Sequence, residues 1–178
     1  PSYFCFKDIT PLVQASGGNG RFTLANISSR TGDENLFAAW TIVVVYKNEL
    51  ESLRNLTVFD GMGYVSGQNN LDIPISGFIT PSTGPVSFEL GVTGYEGDRG
   101  IEGDRFQFNG TGTFLDVPDP LRTASDFFNS TITSGGLLTP HRNPDYNNLL
   151  GFDNGIFIPD NSAFTYIGNS ATSATIRV

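Results

Sequence analysis

Four carboxylates fall within nine consecutive residues of this chain. The tandem EGDRGIEGDR carries Glu96, Asp98, Glu102 and Asp104 between glycines that permit tight backbone curvature. Loops rich in oxygen and punctuated by glycine suit Ca2+, which takes about six to eight oxygen ligands. If the chain holds a cation, this loop is where Ca2+ is expected. The spacing lacks the alternating Asp/Asn ladder and the distal bidentate Glu of an EF-hand. The competing reading is a solvated turn in which Arg99 and Arg105 neutralise the acids.

Other residue types that do chemistry are thinly supplied. His141 is the single histidine, set between Pro140 and Arg142. A nucleophile triad needs a base held at hydrogen-bond distance, and a zinc centre needs several nitrogen or sulfur ligands. One His and one Cys do not supply a zinc set. The chain has 18 acidic residues, enough for a glycosidase pair, but none is marked as lying against an aromatic wall. Sequons for N-glycosylation stand at Asn26, Asn55, Asn109 and Asn129 and permit modification without indicating it. Cys5, alone in YFCF, has no internal partner and is expected to be a buried thiol.

The elements that must position these groups read as strands. AAWTIVVVY places six β-branched or aromatic residues at 41–46, too short and too branched for a helix. This predicts a central, doubly buried strand with Trp40, Val43 and Val45 in the core. RNLTVFDG returns as its hairpin mate and ends on an Asp-Gly turn signal. Alternation predicts further strands at 3–10, 20–27, 71–78, 86–96, 105–114 and 155–158, and in ATSATIRV at the end. Pro74 assigns the strand around it to an edge. Helix is confined to short turns, near Asp119 or Ser125. The result is about ten strands in one all-β domain covering residues 1–178, a mostly antiparallel β-sandwich of jelly-roll type.

Composition agrees with that class. Fifteen Phe and six Tyr accompany one Trp, one Met and 21 Gly, a mixture that favours strands and tight turns. A formal charge of −8 argues against nucleic acid as the partner, because phosphates demand clustered Lys and Arg. No apolar run approaches the ~20 residues of a spanning helix. The first residue is Pro1, and SATIRV reads as a strand entered but not left, so the chain is expected to be processed or part of a longer protein.

The ordered set F-x-D-I-T, G-x-G-R-F-T-L-A-N-I, A-A-W-T-I-V-V-V-Y, R-N-L-T-V-F-D-G, G-Y-E-G-D-x-G-x-x-G-D, F-F-N-S-T-I, R-N-P-D-Y-x-N-x-L-G-F-D and A-T-S-A-T-I-R covers nearly the whole chain. It resembles a poorly characterised β-rich module of large secreted prokaryotic surface proteins. The resemblance implies an extracellular, cell-surface location and an adhesive or structural role. It assigns no catalytic residues.

The leading expectation is therefore a non-enzymatic building block of a surface fibre or adhesin, working beside copies of itself or sibling domains. Strand or edge contacts would join the units, with the terminal strands as candidates through Tyr3, Phe4, Phe6, Thr172, Thr175, Ile176 and Val178. The alternative is a Ca2+-assisted carbohydrate-binding module, for which Tyr64, Tyr95, Tyr146 and Tyr166 near turns are candidate stacking rings. A glycosidase is the distant third.

Overall fold

A chain with this many phenylalanines needs a place to hide them, and those of its second half supply most of one core. The computed structural model describes residues 3–33, 36, 38–143 and 145–178. The start at Pro1, part of the loop expected at 28–36, and Pro144 of the R-N-P-D-Y motif lie outside the described residues. The contacts divide the chain into two compact units, Pro1–Val44 with Val58–Gly63, and Val45–Thr57 with Tyr64–Val178.

The first unit contains α1 (Thr10–Ala15). The Asp8 carboxylate accepts the Thr10 amide at 2.8 Å, and Pro11 sits in the first turn, where no amide is needed. Gly17 and Gly18 then take positive φ (68° and 78°), and the Gly18 amide closes on Val13 O at 3.0 Å. The strand predicted at 3–10 is thus irregular chain running into a helix. A local turn, closed by Asp8 on the Thr10 amide, outcompetes an alternation that has no neighbouring strand.

Every strand of the described residues belongs to the second unit: β1 (Asp72–Ser76), β2 (Leu90–Gly97), β3 (Gln107–Asn109), β4 (Leu115–Asp116), β5 (Ile132–Ser134), β6 (Leu137–Leu138), β7 (Gly151–Phe157) and β8 (Ser173–Arg177). They form two four-stranded sheets, β1-β8-β3-β4 and β2-β7-β5-β6. All pairs are antiparallel except β5 with β7. The all-β class is as expected, with eight strands among the described residues where about ten are predicted.

Inward residues of both sheets build one core. Ile75, Phe108 and Ala174 come from the first sheet, and Leu90 and Phe157 from the second. Phe106, Phe127 and Phe128 come from the connections. Phe106 and Phe127 lie 5.2 Å apart by ring centroid, and Phe127 and Phe157 4.9 Å. Two glycines make room for these rings. A Cβ on Gly97 would meet Phe128 O and Cβ, and one on Gly155 would meet the tip of the Phe157 ring.

The predicted central strand at 41–46 is corrected. Those residues carry no ladder, and Trp40, Val43 and Val45 are exposed (43%, 64% and 60%). β-branched residues fit a pleated, half-buried surface. They do not create one, and here the second-half Phe cluster supplies the core instead. The partner run at 54–61 likewise shows no strand.

The packing sets three expectations for stability. Gly97→Ala should cost about 1–3 kcal/mol, because backbone and core atoms must shift. Gly168→Ala, with nothing within 4 Å of its Cβ, should leave the urea midpoint in place. Phe106→Ala should cost about 3–5 kcal/mol. Equal midpoints for the two glycine variants would contradict the packing described.

Candidate functional site

The most constrained polar group lies inside the second unit. The four inward positions of β7 are Gly151, Asp153, Gly155 and Phe157, so a carboxylate occupies a slot where alternation calls for an apolar residue. Arg122, from the β4–β5 connection, meets it with Nη1 at 2.8 Å from Asp153 Oδ1. Both side chains are 1% exposed. Every Arg122 N–H is used. Nη1 also donates to Phe127 O (2.7 Å), Nη2 to Thr131 O (2.8 Å) and Asn154 O (3.3 Å), and Nε to Thr133 Oγ1 (3.4 Å). The guanidinium packs against both the Phe127 and Phe157 rings, with Cζ 5.4 and 5.3 Å from their centroids.

Asp153 is equally committed. Oδ1 also accepts the Thr131 amide and Oδ2 the Ser130 amide, both at 3.1 Å. Burial pushes its carboxyl above the ordinary Asp value, against the pull of the Thr131 amide, the Arg122 charge and the Ser130 amide. The Ser130 hydroxyl continues the network, donating to Gly97 O and accepting the Gly151 amide. Arg122 also floors an open groove of about 630 Å3, edged by Asp116, Asp119 and Asp160. With all five N–H groups engaged, it has none left for a ligand. The three acids serve their own loops as well. Asp119 Oδ1 accepts the Leu121 amide, Asp160 Oδ1 the Ser162 amide, and Asp116 Oδ1 the Gln107 side chain. The single ring in that groove, Phe157, is buried, so it offers no stacking face to a sugar.

The four acids of the tandem loop diverge. Among the described residues no three His, Cys, Asp or Glu side chains gather as a metal site. Glu96 sits at positive φ (63°) at the bulge of β2, exposed, and Asp98 and Glu102 also face solvent. Asp104 turns inward, where Oδ1 accepts the amides of Phe127 (2.6 Å) and Phe128 (3.0 Å). The expected neutralisation by Arg99 and Arg105 is also corrected. Arg99 donates to Asn147 O at 2.5 Å, and Arg105 pairs with Asp116 at 3.4 Å. Backbone groups elsewhere in the chain take Arg99 and Asp104, and the Asp116 carboxylate takes Arg105.

The remaining candidates scatter. His141 stands exposed at positive φ (61°) in the loop after β6. Cys5 is exposed rather than buried. Tyr64, Tyr95 and Tyr146 are exposed, while Tyr166 is half-buried and donates to Asp116 O. Asn26 and Asn55 are exposed, and Asn109 is half-buried with Oδ1 on the Gly112 amide. Asn129 is buried, its amide donating to Leu121 O and accepting the Thr131 hydroxyl, so the folded domain hides that sequon. Tyr3, Phe4 and Phe6 are exposed and in no strand. Thr175 and Ile176 lie in β8, flanked by Thr172 and Val178, but β8 is central, paired to β1 on one side and β3 on the other. That terminal strand therefore offers no free edge.

Sequence reasoning missed Arg122, Asp153 and the β5–β6 hairpin. A signal for the hairpin was present. ITSGGLL is two runs joined by Gly135-Gly136, both at positive φ (56° and 78°), the two-residue turn that glycine pairs favour. Comparison with protein families, curated proteins and solved structures finds no match to this chain.

Removing one partner of a buried ion pair strands the other charge. Arg122→Met should therefore cost about 3–5 kcal/mol in chemical denaturation. Arg122→Met with Asp153→Leu should recover part of that loss, the remainder being the carbonyls left without donors. A double variant no more stable than Arg122→Met alone would show that the charge on Asp153 is not what the arginine compensates.

Proposed function

We propose that the chain is a non-enzymatic structural module of an extracellular, cell-surface assembly, built on a jelly-roll-like β-sandwich and joined to other copies of itself along a sheet edge. The supporting observation is how differently the four sheet edges are treated. β1 carries Pro74, which has no amide to offer a new strand. β4 and β6 have two residues each. β2 is the longest strand, and residues 90–94, LGVTG, contain no charge and no proline. Proteins blunt edges with proline, lysine or brevity, so an unblunted edge is where strand addition is favoured.

The occupant is the run at 41–46 of a second copy. It is β-branched, uncharged and without a ladder of its own among the described residues. Pairing two uncharged runs keeps the net charge of −8 away from the contact itself. The contact is head-to-tail, so it propagates unless its rotation closes into a ring. No helix of the described residues is long and apolar enough to cross a membrane, and the resemblance to secreted surface modules supplies the location.

Light scattering and electron microscopy of the full chain test this reading. The wild type should associate with concentration. Gly91→Lys places a charge on the edge, its Cβ meeting the far end of Ile156 at 3.1 Å and Gly155 O at 3.9 Å. Val44→Asp charges the exposed donor run. Each should abolish association while leaving the melting temperature within about 2 °C, as exposed substitutions do. A wild type that stays monomeric at high concentration, or variants that associate equally well, would overturn it.

A further inference from the structure

The loop 98–104 is held to the segment 123–128 by four short contacts. The Gly103 amide donates to Ser125 O (2.6 Å), and the Gly100 amide to Asp126 Oδ2 (3.0 Å). Asp104 Oδ1 takes the Phe127 and Phe128 amides. Asp104 and Asp126 bridge as parallel neighbours, which brings their side chains to one face. One atom in this arrangement is left over, because Asp126 Oδ1 is buried and has no hydrogen-bond partner. An orphaned carboxylate oxygen beside a second carboxylate is costly twice over, through lost hydration and through repulsion.

We infer that Asp104 and Asp126 share one proton, carried on Asp104 Oδ2 and donated to Asp126 Oδ1, and that this proton fastens the loop. Taken up from water, it removes one negative charge and satisfies the orphaned oxygen. The two amides on Asp104 Oδ1 remain undisturbed. The surrounding charges leave the proton its role. Arg122 attracts Asp104 but is committed to Asp153 on β7. Arg105 pairs with Asp116, Arg99 donates to Asn147 O, and Asp98 and Glu102 face solvent. Burial first, with the Asp126 charge adding to it, raises the Asp104 carboxyl above its ordinary value against the two amides and Arg122. The native state therefore holds its proton at a pH where the unfolded chain has released it. The stabilisation is complete below the ordinary Asp value and fades as pH rises through the folded one. The loop is a clasp that tightens in acid.

Asp104→Asn tests this, because its oxygen keeps both amides while its nitrogen supplies the missing donor permanently. Melting temperatures of wild type and variant are compared from about pH 4 to about pH 8. The variant should melt higher at the alkaline end, with the gap closing towards the acid end. Exchange of the Gly100 and Gly103 amides at pH 8 should be about tenfold slower in the variant than in the wild type. Asp126→Asn, which donates in the opposite direction, should flatten the pH dependence in the same way. A gap that is absent, negative or independent of pH overturns the inference, as does failure of both amide variants to fold at pH 8.

Discussion

One buried arginine determines where much of the second unit's connecting chain runs. Arg122 binds three backbone carbonyls, a hydroxyl and a carboxylate, from Phe127, Thr131, Asn154, Thr133 and Asp153. These acceptors lie on β5, β7 and the chain before β5. A fully desolvated ion pair contributes little net stability compared with an apolar pair of the same shape. In the native path of residues 122–131 it leaves neither the guanidinium nor the Ser130 and Thr131 amides unpaired. The pairing of β5 and β7, the one parallel pair among the eight strands described, is drawn together by the same guanidinium. The buried Asn161 does similar work on a smaller scale, holding Val86, Tyr166 and Ile167 with all four of its amide bonds.

The aromatic core and the polar node depend on one another. The Phe127 and Phe157 rings both pack against the guanidinium, which helps keep water from competing for its donors. Gly97 lies against Phe128, and its carbonyl receives Ser130, which in turn orders the Gly151 amide. Polar groups that would suggest chemistry when read along the sequence are thus spent on fixing backbone. Asp104 of the tandem loop and the acids of the groove behave alike, each turned to a nearby amide or side chain.

Pattern and turn chemistry account for what the sequence made legible. Pro74 assigned β1 to an edge because proline removes a ladder donor, and the alternation of VSFELGVTGYE and ATSATIR located β2 and β8. The failures share a cause. AAWTIVVVY states what its side chains prefer but not whether a partner exists. Asp153 sits in GFDNGIF, where period-two reading treats a charge as outward, and only Arg122, 31 residues earlier, reverses that. Long-range pairing of single residues leaves no local periodicity to detect.

The place of β8 bears on the order in which the molecule can assemble. It lies between β1 and β3, and its Arg177 grips Asp72 across 105 residues of chain at 2.6 and 2.8 Å. Of the four strands of the first sheet, the one in its middle is therefore synthesised last, after both flanks exist with nothing between them. Until it arrives, β1 and β3 each present a bare side, and the sheet cannot form by zipping up neighbours in sequence. Closing so long a loop before any reward is the slow, topology-limited regime of folding. For this chain, time spent half-made on the ribosome is when exposed strands are most open to mispairing.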